Sequence, residues 1–315
     1  MKIFYDKHDK NYEEYLKDDE KSKIADSWLD IDSLDYWRHD RMLNLIKPFI
    51  EKDEAWLTIG DGRYGSESSW LKIKGINCHA SDMHISLLKI AYEKSLIDSF
   101  SKQNAEKLEF DDDTFDYVLI KETLHHLPRP WLAIYEAYRV CKKGVIIIEP
   151  NDLFHYGNFV NMIFLKFKNL IKKLLKKEIY LDEYNFESVG NFIYTINKRE
   201  LEKFLLGMHK TYIGFNNIND HHFKNIEKVS INPKAMQDKI INFKLKSFIK
   251  IKNILCKLGL MKYSIGEVIL FKKEPKEKVI IDQIDKRFFV EKELLLALMG
   301  IETNFGKYLG KMDII

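Results

Sequence analysis

The sequence predicts an α/β fold built on a doubly wound, mostly parallel sheet. Three observations predict it: short, continuous apolar runs, helical-period segments that alternate with them, and glycines or acids placed where the runs end. Runs without polar alternation belong to strands buried on both faces, the condition of a parallel sheet covered by helices. Functional groups then gather at the carboxyl ends of the strands.

Size and composition allow this. At 315 residues the chain holds one large α/β domain with insertions, or two small ones, and 45% apolar residues supply a core. A net charge of +3 is too small to point to nucleic acid. Three cysteines, Cys78, Cys141 and Cys256, lie far apart with no C-x-x-C pair, which argues against a disulfide framework or zinc ribbon and predicts a reducing, cytoplasmic setting. Residues 1–20 are charged and show no signal-peptide core, and no run is long enough to span a bilayer.

In chain order, residues 1–50 read as an N-terminal helical segment. Ser33 is a ready N-cap, followed by apolar residues at helical spacing from Leu34 to Ile46. Within it, Trp37, Arg38, His39 and Arg41 form a polar-aromatic cluster. That cluster is either a solvated basic face or a helix closing over a ligand. Residues 55–59 read as a buried strand, and Gly60, Gly62 and Gly65 follow at G-x-G-x-x-G spacing before a helix from Ser66 to Lys74 that Gly75 stops. Such glycines permit a sharp turn and let a ligand lie against bare backbone. Residues 76–82 form a second strand ending in Asp82, 20 residues beyond Gly62. In a β-α-β unit this brings a carboxylate beside the loop, where it accepts ribose hydroxyls, so a nucleoside is expected there.

A helix over 84–95 carries Leu87, Leu88 and Ala91 on one face. Asn104-Ala105-Glu106, an acidic turn at 111–114 and a strand over 115–120 come next, the strand running into Lys121-Glu122-Thr123-Leu124-His125-His126. Pro130 suits the first turn of a helix over 131–140, and Lys142-Lys143-Gly144 is expected to end it, cations near its negative end and glycine past its last turn. Val145–Ile148 is a further buried strand ending at Glu149. Beyond it lie an insertion at about 151–197, a helix over 198–208, a strand over 211–215, a polar loop over 216–222, a second insertion within about 218–262, and a last strand over 265–271. The main domain is thus expected over 51–272, with a charged, helical extension over 273–315.

Between residues 55 and 150, about a third of the chain, the ordered motifs resemble the class I S-adenosylmethionine-dependent methyltransferases. They are the loop Gly60–Gly65, Asp82, Asn104-Ala105-Glu106-Lys107-Leu108-Glu109-Phe110, Asp113-Thr114-Phe115-Asp116-Tyr117-Val118, Leu124-His125-His126-Leu127-Pro128-Arg129-Pro130 and Arg139-Val140-Cys141-Lys142-Lys143-Gly144. The resemblance implies a seven-stranded, Rossmann-like sheet with an antiparallel last strand and helical insertions forming a cap. It implies S-adenosyl-L-methionine as cofactor and S-adenosyl-L-homocysteine as product. Gly60, Gly62 and Gly65 would hold the methionine part, Asp82 the ribose, Met83, Asn104, Ala105 and Glu106 the adenine side, and Lys121 would lie near the sulfonium.

The chain departs from the pattern in three places. Thr58 stands where the family usually has an acid for the cofactor's amino group, and Asp61 is the candidate to replace it. Arg63-Tyr64 precede the third glycine, and Lys121-Glu122 follow a strand that usually ends in a small or neutral residue. An ammonium beside a sulfonium is repulsive, so Lys121 is expected to pair with Glu122 or with the cofactor carboxylate.

Methyl transfer needs a positioned nucleophile and, for a hydroxyl acceptor, a base. His125 and His126 are the base candidates, with Glu122 or Glu149 as orienter. The alternative is that the double histidine organises the junction into the next helix. No metal-ligand spacing is visible. Glu149, Asn151, Glu187, Asn191, Tyr194 and His221 are the candidate acceptor contacts, and the polar-aromatic stretch 187–194 suits a sugar ring.

Two lysine-rich amphipathic stretches, 159–177 and 241–258, read either as cap helices or as a surface touching anionic membrane. The expected function is methylation of a small molecule or sugar/glycan precursor, at oxygen. The rivals are an NAD-dependent oxidoreductase, which NAD(H) would protect against melting, and a non-catalytic binding protein, which would form no S-adenosylhomocysteine.

Overall fold

The computed structural model describes residues 5–7, 27–152, 186, 191–208, 212–223 and 225–272. The expected helices at 159–177 and in the 273–315 extension lie outside the described residues, as does Glu187.

Helix α1 (Leu34–Leu43) starts where Ser33 Oγ accepts the Tyr36 N–H at 2.8 Å, and it runs into a 3-10 helix, Asn44–Phe49. Then come β1 (Ala55–Ile59), α2 (Ser66–Ile73), β2 (Asn77–Asp82), α3 (Ser86–Glu93), β3 (Ser99–Lys102) and β4 (Phe115–Lys121). A 3-10 turn, Leu124–His126, leads to α4 (Pro130–Val140) and β5 (Cys141–Pro150). The last elements are α5 (Lys198–Gly207), β6 (Ile213–Ile218), a 3-10 turn Ile226–Lys228, α6 (Met236–Lys257) and β7 (Ile265–Phe271).

The seven strands form one sheet in the order β3-β2-β1-β4-β5-β7-β6. β1 to β5 pair in parallel, and β7 runs antiparallel to both β5 and β6. The strand order reverses between β1 and β4, which opens a crevice at their carboxyl ends. Apolar runs are continuous because both faces are covered. In β5, Val145 and Ile147 join a core with Ala133, Ile134 and Ala137 of α4, while Ile146 and Ile148 face Met42, Ile46, Trp70 and Leu71 on the other side.

Three expectations need correction. Lys142-Lys143-Gly144 do not end a helix: α4 stops at Val140, and all three lie inside β5. Gly144 is needed there because a Cβ would meet the Leu270 carbonyl oxygen of β7 at 3.0 Å. The sixth strand is Ile213–Ile218 rather than 211–215, so Asn216 and Asn217 pair with Glu267 and Gly266 instead of joining a loop. The expected stripe of the 241–258 helix is divided. Leu245 is buried with Leu34, Ile226, Val229 and Ile249, whereas Phe248 and Ile251 are exposed.

Glu267 is a buried carboxyl in the sheet, 2% exposed, with one oxygen lacking a partner. Burial outweighs a hydrogen bond with Asn216 and pushes its pKa up to about 8. A carboxyl raised by folding disfavours the fold progressively as pH rises from its unfolded value through its folded one. Glu267→Gln is therefore predicted to stabilise the protein by up to roughly 5 kcal/mol above pH 8 and by about 1 kcal/mol or less at pH 5, read by urea denaturation at both pH values.

Candidate active site

The loop after β1 is stitched to the end of β2, with Gly60 and Asp61 N–H both donating to the Ser81 carbonyl, at 2.9 and 3.2 Å. Two glycines then let it pack. A Cβ on Gly60, whose φ is +80°, would sit 2.2 Å from the Thr123 side chain. A Cβ on Gly62 would sit 2.7 Å from the Asp82 carboxyl. The third, Gly65, is left-handed and backs onto Ile97 in the core, away from the crevice. The loop thus holds Asp82 and Thr123 against bare backbone, at the mouth of a cavity of about 540 Å³.

Asp82 lines that cavity. Its carboxylate accepts N–H groups from His84, at 2.7 Å, and from Gly62 and Met83. Burial pushes its pKa up to about 6 against those hydrogen bonds. Gly60, Gly62, Met83, Ala105 and Lys121 line the same cavity, as do Glu122, His125 and His126.

Asp61 lies elsewhere. It is 2% exposed and turned into the protein, accepting from Thr58 Oγ1 at 2.9 Å, Ser68 N–H at 2.9 Å and Glu67 N–H at 3.2 Å. It caps α2, whose N-cap Gly65 has no side chain to do so. Burial and the neighbouring Glu67 raise its pKa. Glu67, one turn further on, reaches the cavity instead.

Lys121 is the charged centre of the site. Its ammonium, with the side chain 1% exposed, contacts Glu122 at 2.8 Å, His39 Nδ1 at 2.9 Å and Glu67 at 3.1 Å, and faces the Trp28 ring 4.9 Å away. Burial alone would lower its pKa, but Glu122 and Glu67 outweigh burial and raise it. Correspondingly, burial would raise Glu67, yet Lys121 and Asp61 pull it down to about 2, and Lys121 outweighs burial to hold Glu122 well below the usual carboxylate range. His39, buried beside that ammonium, is held neutral. Glu122 takes a left-handed backbone, φ 49°, at a cost of about 1–3 kcal/mol. Its N–H donates to the Ile148 carbonyl at 2.8 Å.

The double histidine is organised by Glu149. One carboxylate oxygen accepts the N–H groups of Thr123 and Leu124, at 2.6 and 2.7 Å, and the other meets His125 Nδ1 at 2.6 Å. A carboxylate only accepts, so Nδ1 carries the proton and the lone pair belongs to Nε2. The Tyr194 N–H donates to the His125 carbonyl at 2.9 Å.

Several expected contacts do not line the cavity. Asn104 Oδ1 closes a turn on the Glu106 N–H at 2.9 Å, and Glu106 itself pairs with Arg129 at 2.5 Å. Glu149 is spent on the 122–126 turn. Asn151 bridges Asn217 and the Tyr263 carbonyl, Asn191 is 4% exposed, and the His221 ring packs on Phe223 and Phe248. Residues that sequence reasoning missed come from distant segments: Trp28, Arg63, Glu67, Gln103, His222 and Glu227. From α1, Arg38 and His39 line the cavity, while Trp37 sits under Arg41 and Lys246. Arg38 is fixed by Asp35 and Asp220.

Comparison with known proteins agrees with this geometry. A family model described as a methyltransferase domain matches residues 57–148. The chain carries a class I S-adenosylmethionine-dependent methyltransferase domain. Two "Ubiquinone/menaquinone biosynthesis C-methyltransferase UbiE" proteins of Rhodopseudomonas palustris, strains TIE-1 and ATCC BAA-98 / CGA009, are 38% identical over 116 residues. The match covers 34% of this chain and 46% of theirs, so the chain spans less than half the length of these curated relatives.

Among solved structures, a methyltransferase from Thermotoga maritima described as a possible histamine N-methyltransferase is 17% identical, covering 87% of this chain and all of its own length (100%), at a TM-score of 0.47. One from Archaeoglobus fulgidus is 16% identical, covering 74% of this chain and 92% of its own, at 0.45. Overlaps this loose do not bear on chemistry. A second family model, described as a transglycosylase SLT domain, matches residues 272–315, of which only Lys272 is among the described residues.

The Asp82 carboxyl gives the domain a pH signature. Ribose hydroxyls would donate to the ionised form, whereas the free site holds the proton up to about pH 6. Affinity for S-adenosylhomocysteine, measured by calorimetry, is predicted to be flat above pH 7 and to fall up to about tenfold per unit below pH 6. Asp82→Asn should weaken binding at pH 8 and abolish that slope.

Proposed function

We propose that this protein is a methyltransferase that binds S-adenosylmethionine in the cavity beside Asp82 and methylates a small molecule at oxygen. The observation that carries the reading is the Asp82 carboxylate pressed on Gly62 at the carboxyl end of β2, inside the segment that matches the methyltransferase domain. The cavity fits the cofactor in three respects: glycine backbone where a side chain would block, a carboxylate facing inward, and surplus negative charge deeper in.

That surplus is simple arithmetic. Five carboxyl groups line the cavity (Asp35, Glu67, Asp82, Glu122 and Glu227) against three cations (Arg38, Arg63 and Lys121), with His39 neutral and both Glu67 and Glu122 on Lys121. Glu67 and Glu122 would therefore receive the cofactor's ammonium, in place of the acid absent at Thr58. The bound cofactor would supply an electrophilic methyl group on a sulfonium.

The acceptor's proton would go to His125. Glu149 fixes its tautomer and aims Nε2, so it acts as a positioning residue for a general base. A cavity of about 540 Å³ supports an acceptor of small-molecule size. A sugar acceptor has weaker support, because Asn191 and Tyr194 do not line the cavity and Glu187 is outside the described residues. Three buried, unbridged cysteines among the described residues fit a reducing compartment.

A second reading, methylation at carbon, is favoured by the C-methyltransferase name of the Rhodopseudomonas palustris relatives. The same base would serve it by ionising a hydroxyl conjugated to the carbon nucleophile. Mass spectrometry and NMR of the product from methyl-labelled cofactor and a metabolite extract separate O-methyl from C-methyl.

His125→Ala is predicted to lower turnover by about 10²–10⁴-fold, with S-adenosylhomocysteine affinity within threefold of wild type. Glu149→Gln should also shift the pH profile of turnover. Turnover near wild type in His125→Ala would remove the base from the mechanism and leave the turn-organising role.

A further inference from the structure

We propose that the outer face of α6 is a docking surface for an anionic lipid bilayer. The inner face of the helix is settled: Asn242, Leu245, Ile249 and Cys256 are buried. On the opposite side Met236, Ile240, Phe243, Ile251, Ile254 and Leu258 recur at helical spacing, with Ser247 filling the gap. They form one stripe along about 33 Å of helix. These side chains are open to solvent: Phe243 is 72% exposed, Met236 71% and Leu258 66%. A helix packed by one face on a domain ordinarily turns polar residues outward, so a second apolar stripe marks a contact surface.

Charge identifies the occupant. Helix α6 carries six lysines and a single acid, Asp238. Lys239, Lys246, Lys250 and Lys257 fall along one flank of the stripe and Lys244 on the other, all exposed. A second copy would bring six more lysines to the seam with one more acid to oppose them. Anionic headgroups would neutralise the lysines while the stripe sinks to the acyl boundary. No helix among the described residues is long and apolar enough to cross a membrane, so α6 would lie in the interface plane.

The docked helix also adjoins the site. Phe248 contacts the His221 ring at 4.5 Å, and the following residue, His222, lines the cavity together with Glu227. A bilayer under α6 would therefore lie near the mouth through which an acceptor enters.

The test is co-sedimentation of the full-length protein with vesicles of phosphatidylglycerol and phosphatidylcholine, compared with phosphatidylcholine alone. Wild type should sediment with the anionic vesicles at low salt and be released by added salt. Lys250→Glu with Lys257→Glu should weaken partitioning by more than about tenfold. Phe243→Ser should weaken it independently of charge. Both changes sit on exposed positions, and unchanged thermal melting would verify that the variants are folded. Absence of sedimentation with anionic vesicles at low salt overturns the proposal. So does sedimentation indifferent to these changes, or concentration-dependent dimerisation that Phe243→Ser abolishes without any vesicle binding.

Discussion

The contact between the Asp82 carboxyl and the backbone of Gly62 is the constraint around which the site is arranged. It requires a residue without a Cβ at position 62, and it requires β2 to end level with β1. The parallel register delivers this, pairing Ile59 with Ser81 and placing Gly60 and Asp82 one residue beyond. Everything else in the loop follows from holding that contact. Asp61 turns inward to cap α2, and Gly60 lets Thr123 close the other side. The carboxylate left facing the cavity is partly desolvated, which is why its charge is responsive to a ligand.

The fold tolerates a buried ammonium in the cavity proposed to take a cationic cofactor. An unpaired Lys121 would cost several kcal/mol in desolvation and repel a sulfonium. Instead two carboxylates contact it, a neutral histidine accepts from it, and the Trp28 ring covers it. Two of the three departures from the family pattern, Thr58 and Lys121-Glu122, would thus be one arrangement. In the proposed reading Glu67 and Glu122 stand in for the acid absent at Thr58, and the lysine holds those two carboxylates together. Helix α1 completes it through His39, with Arg38 locked to Asp35 and Asp220.

Much of this was legible in the sequence, for local reasons. β1, the glycine spacing, Asp82 and the Ser33 cap are set by neighbours within a few residues. So is the continuous apolar run of β5. Its start was misread because Lys142-Lys143-Gly144 carries a helix-stop pattern, while the reason for Gly144 is a close approach by Leu270, remote in sequence. Asp61 was misplaced for a similar reason. A carboxylate beside a glycine reads as a ligand group, and only the orientation of α2 shows that its hydrogen bonds are spent. Trp28, Arg38, His222 and Glu227 reach the cavity from segments nearly 200 residues apart, a juxtaposition no local pattern encodes. On α6, an apolar stripe was visible, but which apolar residues face the core depends on the packing partners in α1 and the 226–229 turn.

A crystal structure of the protein with S-adenosylhomocysteine tests the central claim most directly. The account predicts both ribose hydroxyls on the Asp82 carboxylate, the amino group toward Glu67 and Glu122, and the sulfur open to the His125 side of the cavity. Density for the ligand elsewhere, or a ribose that leaves Asp82 without a contact, would contradict it.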